Sequence, residues 1–151
     1  MQRFALLALL VLAPAMVVFA ADEKPESLEG SYKLTSLDKG GEKAPDEFTK
    51  GFEGATIKGD KFTMKMMGEA KVATIKIDAK AKPATMDITA DEGPEKDKTM
   101  KAIYKLEKGV LTIAVIEGKD GETFRPENFD GKGKDYIILV LTKEEKKKDE
   151  K

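Results

Sequence analysis

The chain contains no cysteine, no histidine and no tryptophan, and its only arginines are Arg3 and Arg125. Each absence removes a class of function. Without cysteine there is no disulfide framework and no thiol nucleophile, so the domain must hold together by its core or by something bound within it. Without histidine the commonest general base, the commonest transition-metal ligand and the usual near-neutral pH switch are gone. There is no Gly-x-Ser-x-Gly elbow and no glycine-rich phosphate loop, and no pair of acids stands out from the other carboxylates. An enzyme is therefore not expected, and the one catalytic alternative the composition leaves is a hydrolase working with acids alone. Lys, Asp and Glu are spread along the chain with a formal net charge of −1, which provides no basic face for nucleic acid.

Long apolar runs are missing everywhere except at the start. Arg3 precedes an apolar stretch from Phe4 to Phe19, broken by Pro14, and Val18-Phe19-Ala20 places small or aliphatic residues where a signal peptidase needs them. Residues 1–20 read as a signal peptide cleaved near Ala20, which predicts export to the periplasm or the extracellular space. The run is shorter than the roughly 20 residues of a spanning helix, so no transmembrane span is expected after cleavage; retention of the leader as an anchor is the alternative. No cysteine lies near the cut to carry a lipid. Residues 21–29 are polar and read as a flexible arm, 30–142 as one β domain, and 143–151 as a charged, disordered tail.

Within the domain the pattern has the period of a strand. Tyr32 and Leu34 alternate with Lys33 and Thr35. Ala55–Lys58 and Lys61–Met66 flank Gly59-Asp60 as a hairpin. Ala73, Ile75 and Ile77 share one face, as do Met86 and Ile88, and then Met100, Ala102, Tyr104 and Leu106. Val110–Ile116 and 135–142 are apolar on both faces, which predicts strands covered on both sides. Pro45 and Asp46 ahead of Phe48 and Phe52 predict one short helix near residues 45–51. Eight short strands joined by hairpins predict an all-β fold, an eight-stranded antiparallel up-and-down barrel, whose interior holds side chains or one small ligand.

The inward positions that would line such a cavity are Tyr32 and Leu34 on the first strand, then Phe62 and Met64, Ile75, and Met86 and Ile88. Tyr104, Leu111, Ile113 and Ile138 complete the set. Methionines at these positions suit an adaptable apolar cavity and equally suit a filled core. Met64-x-Met66 lacks a histidine or cysteine partner for a soft metal. The acids Asp91-Glu92 and Asp120 with Glu122 lack the spacing of a calcium loop. No metal and no cofactor is expected.

One stretch stands apart. In Phe124-Arg125-Pro126-Glu127-Asn128-Phe129 the sole arginine after the leader sits between aromatics beside a proline that cannot donate to a strand ladder. A bidentate cation in such a loop is suited to clamping a carboxylate or phosphate at the barrel mouth.

Gly30-Ser31-Tyr32-Lys33 resembles the Gly-x-Trp opening of lipocalin-type barrels, with Tyr in place of Trp. Leu28–Leu34, Lys58–Phe62, Lys82–Ile88, Ala102–Leu106, Gly109–Ile113 and Arg125–Phe129 together resemble, in their order, a planctomycete family of secreted domains with a lipocalin-like fold. That family has no established activity to transfer. The chain departs from its pattern at Ala114-Val115, where such domains often have a cysteine, and at Glu127, which stands where they have threonine. The resemblance implies that Arg125 packs over Tyr32 and, with Phe129, closes one end of the barrel. The expected function is an exported, non-enzymatic lipocalin-like domain that binds a small hydrophobic or amphipathic ligand. The alternative is a structural or interaction domain of the cell envelope with a filled core and no ligand.

Overall fold

The computed structural model describes residues 26–145. The expected signal peptide, residues 21–25 of the arm and residues 146–151 of the tail lie outside them. The strands are β1 (Gly30–Lys39), β2 (Glu42–Lys43), β3 (Phe52–Lys58), β4 (Lys61–Met66), β5 (Glu69–Asp78), β6 (Thr85–Ala90), β7 (Thr99–Glu107), β8 (Val110–Ile116) and β9 (Tyr136–Lys143), with helices α1 (Asp46–Lys50) and α2 (Asp120–Thr123). Eight strands pair in chain order, β1-β3-β4-β5-β6-β7-β8-β9, and β9 returns to pair with β1. Every pairing is antiparallel. The result is the closed up-and-down barrel that the alternation predicts, with the two-residue β2 added on the edge of β1. Closure leaves no long exposed edge for another chain to pair with.

The short helix expected near 45–51 is α1, which starts after Pro45 and carries Asp46 and Glu47 in its first turn. A second short helix, α2, forms within the connection between β8 and β9, a segment that reads as irregular in the sequence.

The two ends of the barrel differ. One end holds the tight turns Gly59-Asp60 and Lys108-Gly109 and both termini of the described chain, and it is sealed. Leu28 is 8 % exposed and packs into the core, and the Tyr32 hydroxyl donates to its carbonyl at 2.5 Å. Glu29 accepts from the Gly59 amide at 3.0 Å, Glu26 from the Gly109 amide at 3.1 Å, and the Lys143 ammonium donates to the Ser27 carbonyl at 2.9 Å. The arm is therefore not free up to Glu29. Its last four residues form a plug, because one apolar side chain and two carboxylates find partners across three strand ends. Lys143, the first residue of the expected tail, belongs to β9.

Two apolar clusters follow from the alternation. Inside the barrel, Tyr32, Ile57, Met86, Leu111, Ile113 and Leu141 are all under 2 % exposed. Outside, Ile103, Ala114, Tyr136 and Ile138 form a second cluster with Ile116 and Phe129 packed on it. The 117–135 connection carries Phe129 onto this outer face, which is why β8 and β9 are apolar on both sides.

Candidate functional site: the open end of the barrel

The other end is open. It is framed by the Met67-Gly68 turn, the 91–98 connection and the first part of the 117–135 connection. Here the barrel contains a cavity of about 1080 Å³. Its floor is apolar: Phe62 and Met64 from β4, Ala73 from β5, Ile88 and Ala90 from β6, and Met100 from β7. Its rim is charged, with Glu69 and Lys71 on β5, Glu92, Glu95 and Lys98 on the 91–98 connection, and Lys119 and Glu122 on or beside α2.

Strand register explains this division. Met64 pairs with Lys71 and Phe62 with Ala73, so Lys71 lies on the same inward face as the floor, one step closer to solvent. Beyond Ala73, which pairs with Ala90, β5 continues without a β6 partner. The 91–98 connection fills that gap: the Asp91 amide donates to the Val72 carbonyl at 3.1 Å, and Glu92 accepts from the Val72 amide at 3.3 Å. On the far side, the β7–β8 ladder begins only at Ile103, opposite Ala114. The edge of β7 before it is covered by α2. Gly121 is buried there so closely that a Cβ would collide with the Ile116 carbonyl oxygen, and the Met100 methyl lies 3.0 Å from the same point.

Of the residues expected to line a cavity, Phe62, Met64 and Ile88 do so. Tyr32, Ile75, Met86, Tyr104, Leu111 and Ile113 are buried in the inner core, and Leu34 is partly buried against it. They lie toward the sealed end, where the interior is filled by side chains. Ile138 is a correction. It faces outward into the second cluster, beneath the 117–135 connection. A strand apolar on both faces offers no alternation from which to read its parity. The cavity residues absent from the expected set are chiefly Ala73, Ala90, Met100 and the charged rim. Parity along β5 would have found Lys71 and Glu69, which alternate with Val72 on the same face as Ala73 and Ile75.

Arg125 also differs from expectation. Its guanidinium donates to the Ala102 carbonyl at 2.5 Å and to Asp87 Oδ1 at 2.6 Å. Asp87 pairs in register with Lys101 and Lys76 on the outer face of the wall, and the Ala102 carbonyl lies just before the β7–β8 ladder begins. Arg125 therefore clips the 117–135 connection to the outside of β6 and β7, while Tyr32 points into the barrel. The cation over the Tyr32 ring is Lys143, at 6.0 Å from its centroid. Phe129 packs on the outer cluster, with the Lys105 ammonium 5.2 Å above its ring.

Among the described residues two carboxyls, the exposed Glu53 and the partly buried Asp91, have shifted pKa values, and both shifts are downward. Hydrogen bonds from Lys65 and from the Gly68 amide lower Glu53, and hydrogen bonds from Lys61 and Thr74 lower Asp91. Such partners hold a carboxylate ionised, the opposite of what a general acid requires. Two phenols move the other way: burial, then the Glu26 charge, raise Tyr32 to about 12, and burial followed by Asp78 raises Tyr104. Among the described residues no helix is long and apolar enough to cross a membrane.

Comparisons of the chain with protein-family models, with curated proteins and with solved structures give no significant match.

Proposed function

We propose that this protein is an exported, non-enzymatic, lipocalin-like barrel that takes up a small hydrophobic or amphipathic molecule at its open end. The cavity carries the reading: about 1080 Å³, with an apolar floor of Phe62, Met64, Ala73, Ile88, Ala90 and Met100, in a barrel plugged at the opposite end. An apolar pocket with a polar rim is the usual form of a small-molecule site, and removing apolar ligand area from water supplies the driving force. Met64 and Met100 add a flexible, polarisable lining that adapts to varied shapes. Export rests on residues 1–20, and the absence of histidine and cysteine supports a binding role over catalysis.

The test is titration of the purified mature chain with an environment-sensitive apolar dye. Saturable binding is expected in wild type. Ala90→Phe, which places a ring in the cavity floor, should weaken it by at least about tenfold, the scale of one lost buried apolar group, while circular dichroism stays unchanged. Dye binding that Ala90→Phe leaves untouched would rule out this cavity as the site.

A further inference from the structure

The rim of the cavity carries both signs of charge, and this narrows the class of ligand. Lys98 is engaged by carboxylates, with Glu95 at 2.6 Å and Glu122 at 4.0 Å. Glu92 accepts a backbone hydrogen bond from Val72. Four rim charges form no ion pair within 4.0 Å among the described residues, Lys71, Lys119, Glu69 and Glu92, and of these Glu92 is already held by its hydrogen bond from Val72, which leaves Lys71, Lys119 and Glu69 to meet a ligand. Lys71 and Glu69 are alternate residues on the inward face of β5, so their Cα atoms lie roughly 6.6 Å apart along the strand. They present opposite charges side by side at the point where the apolar floor gives way to solvent.

Building on the proposed binding role, we infer that the open end selects a single-tailed amphiphile with a zwitterionic head. The tail lies on Phe62, Met64, Ile88 and Met100. The anionic part of the head faces Lys71 and Lys119, and the cationic part faces Glu69. A purely anionic head would meet the lysines but leave Glu69 beside it as a like charge, and a purely cationic head would reverse the problem. Only a head bearing both signs has a partner for each, and like-charge juxtaposition is what excludes the wrong ligands.

The experiment compares four probes of one tail length, each below its micelle concentration: an alkylphosphocholine, an alkyl carboxylate, an alkyltrimethylammonium and an alkyl maltoside. Each is titrated by calorimetry into the mature chain, the variants Lys71→Glu and Glu69→Lys, and the double exchange. In wild type the phosphocholine should bind roughly three- to tenfold tighter than either singly charged probe, the scale of two exposed ion pairs. Lys71→Glu should move the preference to the ammonium and Glu69→Lys to the carboxylate. The double exchange, which retains both charges, should restore the phosphocholine. Both substituted side chains are exposed, and unchanged circular dichroism confirms folding. Equal affinity for all four probes would overturn the head-group inference while leaving the apolar site intact. No binding of any probe would overturn the inference together with the binding role beneath it.

Discussion

The Tyr32 phenol ties the sealed end of the barrel to alkaline pH, and replacing it with phenylalanine tests how that end is held. Tyr32 is 1 % exposed, and its hydroxyl donates to the Leu28 carbonyl. Burial, and secondarily the charge of Glu26, raise its pKa to about 12 from an ordinary 10.0. The neutral phenol is the protonated form, so the folded state holds this proton more tightly than the unfolded chain does. The contribution is fully present below about pH 10 and is lost as pH rises through about 12. The rise from 10.0 to about 12 corresponds to roughly 2–3 kcal/mol. Tyr32→Phe removes that dependence, but it also leaves the Leu28 carbonyl without its donor, at a cost of about 1–2 kcal/mol near neutrality. The two stability curves should therefore cross. At pH 8 the variant should be the weaker protein; by pH 12 the wild type should be, because only it pays to keep the phenol protonated. Urea denaturation followed by circular dichroism across this range gives the difference directly. Lysine titrations and the raised Tyr104 occur in both proteins and cancel. Parallel curves would show that Tyr32 titrates as it does in the unfolded chain, and the account of the plug would fail.

Three further outcomes follow from the same geometry. Arg125→Ala removes both donors of the clip, and because its side chain and that of Asp87 are 28 % and 35 % exposed, the cost should be about 1–2 kcal/mol. A thermal melt should fall by several degrees, Arg125→Lys should recover little of it because a point charge cannot bridge both acceptors, and an unchanged melt would dismiss the clip. Gly121→Ala drives a methyl group against the Ile116 carbonyl, so α2 must lift; about 1–3 kcal/mol of stability should be lost, and limited proteolysis should cut faster within 117–135. Leu28→Ala should cost about 2–4 kcal/mol in urea denaturation if residues 26–29 seal the barrel, and almost nothing if they are a free arm.

What the sequence could show depended on whether a strand had one apolar face or two. From β4 to β7, polar and apolar residues alternate, so parity sufficed to place Phe62, Met64, Met86, Tyr104 and their neighbours inside. In β8 and β9 both faces are apolar, because the outer one lies beneath Phe129 and the rest of the 117–135 connection. Parity there is silent, and Ile138 fell on the wrong side. Parity also fixes the face of a residue without fixing its height in the barrel. Tyr32 and Met64 both point inward, yet one is in the filled core and the other lines the cavity. That difference is decided by what covers each end. The cover over Tyr32 is Leu28, a single apolar residue in an otherwise polar segment, held by hydrogen bonds from Gly59 to Glu29, from Gly109 to Glu26 and from Lys143 to Ser27. These partners are remote in sequence and become neighbours only when the barrel closes. The same holds for Arg125, whose isolation marked it out but whose acceptors, Asp87 and the Ala102 carbonyl, come from two other strands. Local pattern therefore specified the wall of the barrel, while the plug, the clip and the open cavity between them arise from closure.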